Sequence, residues 1–370
     1  MTQPRKFIFA GGGTGGHLFP GVAVALELQR REPNARMLFV GSERVLEQSI
    51  LARHEFEHRS LPVVSLRELT RHPWRFAIRN WTAWRAARRL IRDERPDVVV
   101  GLGGYASAPV VWQAARAKCP VVLLEQNVIP GRTTRWLSRS ASLVCTSFPE
   151  TSQRLPNGVK VEVTGNPVRR EIAKFNASLQ MTSTAPRELL VLGGSQGADS
   201  LNEAVVGSLR LLGEERSGWR VVHQTGSRQV DAMRHEYAAS SIDAVVEPFF
   251  DDMPERYRAA SFVISRAGAT TLAELACCGL PMVLLPYPHA ADDHQTANAR
   301  VYEARGAAVC VEHLASKDET AARLAEPLRS LLTDAARRHA MSIAARSCSR
   351  PDATDIVVDR VLELARSLTR

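Results

Sequence analysis

Three glycine-rich stretches of the sequence each follow a short apolar run and precede a helical pattern. They occupy residues 11–17, 103–109 and 193–198. Backbone amides at the start of a helix bind phosphate groups when no Cβ atom blocks the approach. The three loops together predict more than one phosphate-binding position, although a tight turn that needs glycine also explains each loop taken alone.

The first loop also fits the dinucleotide-binding pattern G-x-G-x-x-G through Gly11, Gly13 and Gly16. That pattern requires an acidic residue about 20 positions further on to bind the adenine ribose. The carboxylate at the end of the second predicted strand is Glu43, 30 residues after Gly13, and a basic residue follows it. The spacing disfavours NAD(P) but leaves it open.

The segment 265–274 predicts a strand that runs into a helix beginning near Ala269. The first helical turn can present amides to a diphosphate, and Glu274 lies one turn further on, where its carboxylate can accept two hydroxyls of a ribose. We therefore predict a nucleotide site. Downstream, residues 289–298 carry imidazole, carboxylate and amide groups that could bind sugar hydroxyls, although Asp292 and Asp293 are equally explained as charges at a helix start.

The elements that must position these groups are short β-branched runs that alternate with amphipathic helical segments. This is the βαβ pattern of a parallel sheet with helices on both faces. It lapses over residues 164–167 and 176–186, and a second series opens at residue 189. We predict two Rossmann-like doubly wound domains that share a cleft, over residues 1–166 and 167–350. Residues 351–370 are predicted to form a helix that packs back across the junction onto the first domain.

Charge is distributed unevenly over the 370 residues. Residues 1–166 carry 24 basic and 13 acidic side chains, whereas residues 167–370 carry 24 and 26. Nine of the arginines and three tryptophans fall within residues 67–95, where Trp74, Ile78, Trp81 and Trp84 recur at helical spacing. Apolar rings flanked by guanidinium groups suit the headgroup region of an anionic membrane. The alternative is an amphipathic helix whose tryptophans face the core.

Other classes of site have little support in the sequence. The six cysteines form neither a Cys-x-x-Cys pair nor a set with zinc-ligand spacing, and the sequence has no Asp-x-Asp triplet to hold a divalent ion against a diphosphate. We expect no metal and no cofactor. The apolar run after Lys6 is too short for a signal peptide, and we find no stretch long enough to span a bilayer, so we expect a cytosolic chain.

Seven motifs, in order along the chain, resemble the MurG family of membrane-associated glycosyltransferases. They are residues 11–17, 103–109, 125–127, 164–169, 193–198, 265–274 and 293–299. The resemblance covers almost the whole chain. It implies the GT-B fold, which consists of two Rossmann-like domains facing a cleft. It also implies inverting transfer of N-acetylglucosamine from UDP-N-acetylglucosamine to the C4 hydroxyl of the muramoyl pentapeptide on undecaprenyl diphosphate, which converts lipid I to lipid II in peptidoglycan synthesis.

The resemblance also implies roles for individual residues. The expected general base is His17, for which the alternative is a histidine at a helix start bonded to backbone. The second loop is expected to meet the acceptor through Gly103, Gly104 and Tyr105. The remaining substrate contacts that the resemblance implies are Thr14, Gly15, Gly16, Asn127, Arg169, Ser195, Phe250 (by its backbone, to uracil), Ala269, Thr270, Thr271, Leu272, Ala273, Glu274 and Gln295. The residues expected at the membrane are Trp74, Arg75, Ile78, Arg79, Trp81, Trp84 and Arg85.

The chain departs from the family pattern at two positions. Many relatives have histidine where this chain has Leu124, so no base is assigned there, and the first of two adjacent glutamines in the sugar-binding loop is here His294. The second position leaves the role of His294 open and favours Gln295 as the sugar contact.

The resemblance implies a set of partners and a location. The partners are UDP-N-acetylglucosamine, lipid I, an anionic membrane surface and proteins of cell-wall synthesis. The location is the cytoplasmic face of the plasma (inner) membrane, where the enzyme is peripheral. Two alternatives remain. A UDP-N-acetylglucosamine epimerase or another glycosyltransferase of the same fold needs no lipid acceptor. A nucleic-acid-binding protein would explain the basic charge but not Glu274, so we expect no nucleic acid.

Overall fold

The structure is a computed structural model that describes residues 4–12, 15–64, 73–177, 187–194 and 197–367. The chain divides into two compact units. Unit 1 comprises Met1–Arg170 together with Asp352–Arg370, and unit 2 comprises Glu171–Pro351. The boundaries expected from sequence, 166 and 350, precede the observed ones by four residues and by one.

Unit 1 contains a seven-stranded sheet in which neighbouring strands run parallel. The strands are β1 (Lys6–Gly11), β2 (Arg36–Gly41), β3 (Glu57–Ser60), β4 (Val98–Gly103), β5 (Val121–Glu125), β6 (Leu143–Thr146) and β7 (Val161–Val163). Their order in the sheet is β3-β2-β1-β4-β5-β6-β7. The order reverses between β1 and β4, and ligands of open α/β sheets bind at such a switch point, beyond the carboxyl ends of the strands.

Helices cover both faces of this sheet. They are α1 (Gly15–Arg31), α2 (Val45–Arg53), α3 (Pro73–Glu94), α4 (Ala108–Arg116), α5 (Arg132–Leu137) and α6 (Pro149–Ser152). Along β1, Phe7 and Phe9 join the core beneath α1, while Ile8 joins the core beneath α3 and α4. Successive side chains of a strand point to opposite faces, so a strand buried on both faces reads as a continuous apolar run.

Unit 2 repeats the design with a six-stranded parallel sheet of order β10-β9-β8-β11-β12-β13. The strands are β8 (Glu188–Leu192), β9 (Arg220–Gln224), β10 (Ala244–Glu247), β11 (Phe262–Ser265), β12 (Met282–Leu284) and β13 (Ala308–Cys310). The helices are α7 (Arg170–Ala173), α8 (Asp199–Leu212), α9 (Val230–Ala239), α10 (Met253–Ala259), α11 (Ala269–Cys278), α12 (His294–Ala304), α13 (Lys317–Thr333) and α14 (Ala335–Ser347). Here the strand order reverses between β8 and β11.

The last helix, α15 (Ala353–Ser367), belongs to unit 1. Its residues Val357, Val361 and Ala365 are buried in the same core as Phe7 and Phe9 of β1. On the surface, the Arg31 guanidinium at the end of α1 forms ion pairs with Asp355 and Asp359 of α15. The helix therefore completes one face of unit 1.

Two strands of unit 1 were not predicted from sequence. Both edge strands are short and carry charged residues, Glu57 and Arg59 in β3 and Glu162 in β7. Charged side chains are common at sheet edges because they discourage pairing with other chains, and they break the apolar pattern that identifies a strand. Helix α1 begins at Gly15, inside the glycine-rich stretch 11–17 that was expected to precede the helix.

Candidate functional site

The first two glycine loops of unit 1 lie at the switch point of its sheet. Strand β1 ends at Gly11 and the neighbouring strand β4 ends at Gly103, both with positive φ angles, of 121° and 94°. A Cβ atom at Gly11 would lie 2.4 Å from the carbonyl oxygen of Gly103, so the two backbones approach as closely as glycine permits. Gly15 and Gly16 form the first residues of α1, whereas Gly13 and Thr14 lie outside the described residues.

The second loop bends at Gly104, which also has positive φ, and passes through a short 3₁₀ turn into α4. The Ser107 hydroxyl donates to the Gly104 carbonyl at 2.8 Å. The ring of Tyr105 is half-buried and packs against the core beneath α3 and α4. Among the three residues expected to meet the acceptor, the two glycines border the first loop and Tyr105 faces inward in part.

His17 is the third residue of α1 and is half-buried. Its Nδ1 lies 2.9 Å from Oε1 of Gln126, at the end of β5. The ring also lies against Gly103, where a Cβ atom would be 3.2 Å from Nδ1. The His17 ring thus forms a hydrogen bond with a side chain, which differs from the alternative of a histidine bonded to backbone.

The segment that follows β5 is organised by Glu125, which is buried. Its Oε1 accepts the Asn127 amide N–H at 3.0 Å, and its Oε2 accepts the Gly131 N–H at 3.0 Å. The Asn127 carbonyl in turn accepts the Thr151 hydroxyl. Leu124 is buried in the core beneath α1.

Two carboxylates follow β2, and one of them, Glu47, lies beside the first loop. Glu43 is exposed and pairs with Arg79 at 3.2 Å. Glu47, buried on α2, accepts the backbone N–H and the hydroxyl of Ser42 and fills the space beside Gly12 and Gly41. Each oxygen of this carboxylate therefore accepts one hydrogen bond from Ser42.

In unit 2, helix α11 begins at the switch point, after β11. Gly268 precedes the helix and supplies no side-chain cap, and the first helical hydrogen bond runs from the Leu272 N–H to the Gly268 carbonyl. The amides of Ala269, Thr270 and Thr271 precede that bond and point along the helix axis toward its N-terminus. The Leu272 side chain is buried, and its N–H serves the helix, whereas Ala273 is half-buried one residue further on.

Glu274 lies in the second turn of α11 and is 7% exposed. Its Oε2 accepts the hydroxyl of Tyr257, a buried residue of α10, at 2.9 Å. The tyrosine fixes the carboxylate near the N-terminal end of α11. Sequence spacing identified Glu274 but not Tyr257, which comes from another helix.

Arg266 joins three parts of unit 2 through its guanidinium. Its Nη atoms donate to the carbonyls of Leu285 and Pro286 and to the hydroxyl of Ser200 on α8. Burial lowers the pKa of Arg266 to about 10. Asn298 of α12 donates to the carbonyl of Ala267 at 3.2 Å and fixes the same loop from the other side. Both residues fall within or next to motifs identified in the sequence, but residue type alone did not reveal their partners.

The sugar-binding loop expected from sequence is held by its own backbone. The Gln295 Oε1 accepts the Tyr287 N–H at 2.9 Å, and the His294 Nδ1 lies 2.7 Å from the Ala291 carbonyl oxygen. Asp292 and Asp293 both have positive φ, and the Asp293 carboxylate accepts the Thr296 hydroxyl. Asp293 therefore orders the start of α12.

Three further residues expected to contact the donor lie apart from α11 in sequence. Phe250 is buried, and its N–H donates to Gln224 Oε1 at 3.1 Å, so its amide is already engaged. Arg169 belongs to unit 1. The pKa of His54 is lowered mainly by burial and, to a smaller extent, by the positive charge of Arg169. Ser195, in the third glycine loop, lies outside the described residues, although Gly193 and Gly194 precede it at the end of β8.

Helix α3 exposes the residues expected at the membrane on one face. Trp74 is 81% exposed, Ile78 62% and Trp81 59%. The core-facing positions of α3 are instead Ala83, Ala87, Leu90 and Ile91. The alternative in which all the tryptophans of this segment face the core is therefore wrong for Trp74 and Trp81.

Trp84 is half-buried and differs from the exposed residues of α3. Its ring meets Trp112 edge-on at 5.1 Å and Trp136 at 6.3 Å. The Arg85 guanidinium stacks on Trp81, while the Arg75 side chain, Arg67 and Arg71 lie outside the described part of the chain. Within the described residues, no helix is both long enough and apolar enough to cross a bilayer.

Sequence comparison assigns both halves of the chain to one family. The glycosyltransferase family 28 N-terminal domain matches residues 7–146, and the glycosyltransferase family 28 C-terminal domain matches residues 188–357. A relative from Anaeromyxobacter sp. (strain Fw109-5) is 40% identical, covering 98% of this chain and 94% of its own length. One from Geobacter sulfurreducens is 36% identical, covering 98% and 99%. Both are named UDP-N-acetylglucosamine--N-acetylmuramyl-(pentapeptide) pyrophosphoryl-undecaprenol N-acetylglucosamine transferase.

Solved structures give the same result. The MurG crystal structure from Acinetobacter baumannii has a TM-score of 0.75 and 30% identity, covering 97% of this chain and all of that one. A UDP-GlcNAc 2-epimerase from Neisseria meningitidis has a TM-score of 0.69 at 15% identity over 97% of this chain and all of its own, a likeness of fold alone. The resemblance and the two-domain α/β fold class inferred from sequence are confirmed. This chain belongs to the MurG family of glycosyltransferases, within glycosyltransferase family 28.

Proposed function

We propose that this chain transfers N-acetylglucosamine from UDP-N-acetylglucosamine to the C4 hydroxyl of the muramoyl pentapeptide on undecaprenyl diphosphate. The observation that carries the proposal is the 40% identity, over 98% of the chain, to a relative named for this transfer. The reaction makes lipid II from lipid I and inverts the anomeric centre, as the sequence resemblance implies. UDP-N-acetylglucosamine and lipid I are then its two substrates.

The donor binds unit 2 through the N-terminal end of α11. The first-turn amides of this helix hold the diphosphate, because the helix dipole favours negative charge at that end. Glu274, oriented by Tyr257, accepts the ribose hydroxyls. Since the Phe250 amide is already engaged, its carbonyl accepts the N3–H of uracil. Arg169, Ser195, Asn127 and Gln295 complete the donor contacts, as the family resemblance implies.

Chemistry begins at His17. Its imidazole accepts the proton of the C4 hydroxyl as that oxygen attacks the anomeric carbon. The bond from this carbon to the diphosphate oxygen breaks, and its electron pair leaves with UDP. The partial positive charge at the N-terminus of α11 offsets the charge that develops on the leaving group. The loops at Thr14–Gly16 and Gly103–Tyr105 hold the acceptor.

The assay that tests the reaction measures UDP release from UDP-N-acetylglucosamine with and without a soluble lipid I analogue. We expect release that depends on the analogue and yields one disaccharide product. A matched reaction with an analogue methylated at the C4 hydroxyl should release no UDP. Conversion of the donor in the absence of acceptor would contradict the proposal and favour an epimerase.

The exposed face of α3 docks the enzyme on an anionic membrane. Three large apolar side chains, Trp74, Ile78 and Trp81, are exposed at helical spacing on a helix rich in arginine. Rings of this kind enter the headgroup region while guanidinium groups bind lipid phosphates. Trp84 contributes less directly, since Trp112 and Trp136 cover part of it. A lipid-linked acceptor requires this location, the cytoplasmic face of the membrane.

Vesicle binding tests the docking surface. Reversing the charge of Arg79 and Arg85 together should weaken binding to anionic vesicles by more than about tenfold, because each cation near such a surface contributes about 1 kcal/mol and the new negative charges add repulsion, although Glu43 already offsets part of the charge of Arg79. The control reverses Arg210 and Arg329, which pair with glutamates in unit 2. Equal binding by the wild type and the α3 variant would contradict the proposal, as would undiminished binding to phosphatidylcholine vesicles.

A further inference from the structure

Gln126 lies between Glu125 and Asn127 in the 125–127 motif, and the proposed reaction assigns it no role. It is 2% exposed, and it lies 109 positions from His17 in the sequence. Its side chain nevertheless meets the His17 ring directly, with Oε1 at 2.9 Å from Nδ1.

The orientation of the Gln126 amide is determined by its other contacts. Its Nε2 donates to the carbonyl oxygens of Leu102 and Leu124, each at 3.4 Å. If the amide were turned over, its oxygen would face two carbonyl oxygens and lose both bonds. The amide oxygen is therefore the atom presented to His17.

An amide oxygen only accepts hydrogen bonds. The His17 Nδ1 must then carry the ring proton in the neutral imidazole, and Nε2 keeps its lone pair. We infer that Gln126 is a positioning residue that selects the Nδ1–H tautomer of His17 and so makes Nε2 the basic atom of the reaction. This inference rests on the proposed role of His17 as the base.

The backbone beneath the ring contributes to the same arrangement. A Cβ atom at Gly103 would lie 3.2 Å from Nδ1 and 3.3 Å from Cε1 of His17. The ring is thus held between the Gly103 backbone on one side and the Gln126 amide at its Nδ1 edge. Gly103 ends β4 and Gln126 directly follows β5, and these two strands are neighbours in the sheet. The rigid sheet therefore fixes the orientation of the imidazole as well as its proton.

The first test is spectroscopic, and its result is read from the wild-type protein. Long-range ¹H–¹⁵N spectra of protein labelled in its histidines distinguish the protonated ring nitrogen from the unprotonated one, and the His17 signals are those missing from His17→Ala. We expect the proton on Nδ1 in the wild type. A wild-type ring protonated on Nε2 overturns the inference, whatever the activity.

The second test separates positioning from general damage. Gln126→Met keeps the shape of the side chain but removes the acceptor, so we expect kcat to fall roughly tenfold or more, with the KM for UDP-N-acetylglucosamine unchanged and the Nδ1–H signature lost. Gln126→Glu keeps an acceptor oxygen at Nδ1 and should retain that signature and more of the turnover than Gln126→Met, although it loses the bonds to the Leu102 and Leu124 carbonyls. Gln48→Met, at an exposed position of α2, is the matched control.

The outcomes separate the role of His17 as the base from the role of Gln126 in positioning it. If His17→Ala keeps normal turnover while the wild-type spectrum shows Nδ1–H, the proposed base is wrong and the tautomer assignment stands. If Gln126→Met leaves both the tautomer and kcat unchanged, Gln126 has no positioning role.

Discussion

Replacing the Glu274 carboxylate with an amide tests whether this single group binds the ribose of the donor. In Glu274→Gln the side chain keeps its shape, and its oxygen can still accept the Tyr257 hydroxyl, as Oε2 does now at 2.9 Å. The NH₂ group then turns toward the place where the carboxylate would accept ribose hydroxyls. A donor therefore replaces a charged acceptor at the proposed ligand contact.

The size of the effect follows from the bond that is lost. A hydrogen bond to a charged group contributes about 1.5–3 kcal/mol, and Glu274 is 7% exposed, so water offers little replacement. We expect the Kd for UDP to rise about 10- to 150-fold. Tyr257→Phe leaves the carboxylate in place but removes its brace, and should raise the Kd only about fivefold.

The assay is a calorimetric cycle that uses UDP and 2′-deoxy-UDP with the wild type and with Glu274→Gln. If Glu274 accepts the ribose hydroxyls, removal of the 2′-hydroxyl costs the wild type much more affinity than it costs the variant. Equal losses in the two proteins would refute the reasoning, because the carboxylate and the hydroxyl would then act independently. Glu326→Gln, at an exposed position of α13, is the matched control, and thermal unfolding checks that each variant folds.

The other predictions concern the base, the metal requirement and acid stability. His17→Ala should lower kcat by about a hundredfold or more with little change in UDP affinity, whereas His339→Ala on the exposed side of α14 should change neither; near-normal turnover would remove His17 from the mechanism. Turnover should survive a chelator, since the amides of α11 can offset the leaving-group charge, and loss of turnover restored by magnesium would contradict this. Hydrogen bonds from Arg30 and Arg31 lower the pKa of Glu27 from 4.5 to about 2, so this carboxylate stabilises the fold above pH 4.5 and the stabilisation is lost as pH falls through about 2. Glu27→Gln should therefore lower the free energy of unfolding by about 1–2 kcal/mol at pH 7, a difference that narrows below pH 4.5 in urea titrations; a gap that is constant with pH would exclude this cause.

Much of the fold could be predicted because its central strands are buried on both faces. Runs such as Phe7–Phe9 in β1 are apolar without interruption, and glycine follows where the chain must turn at the switch point. The edge strands β3 and β7 escaped prediction since solvent covers one side of each, and charged residues are tolerated there. The charged residues that discourage pairing at the sheet edges also interrupt the apolar pattern from which a strand is predicted.

At the site, sequence identified residues that bear chemistry but not the residues that orient them. Glu274 could be placed because helical spacing alone puts it one turn beyond a phosphate-binding end. Tyr257 and Gln126 could not be, since their contacts join elements 17 and 109 residues apart. The sequence also does not show that Glu47 lies beside the first loop, because that position depends on the tertiary packing of α2.

The placement of α15 has a consequence for synthesis on the ribosome. This helix supplies Val357, Val358, Val361, Leu362 and Ala365 to the core of unit 1, yet it is translated after all of unit 2. Unit 2 spans Glu171–Pro351, and translation proceeds at about 5–20 residues per second. One apolar face of unit 1 therefore stays uncovered for roughly 10 to 40 s, until α15 has been synthesised. During that interval the nascent chain exposes an apolar surface to which chaperones or other parts of the chain can bind. Unit 1 therefore reaches its final stability only after unit 2 has been synthesised.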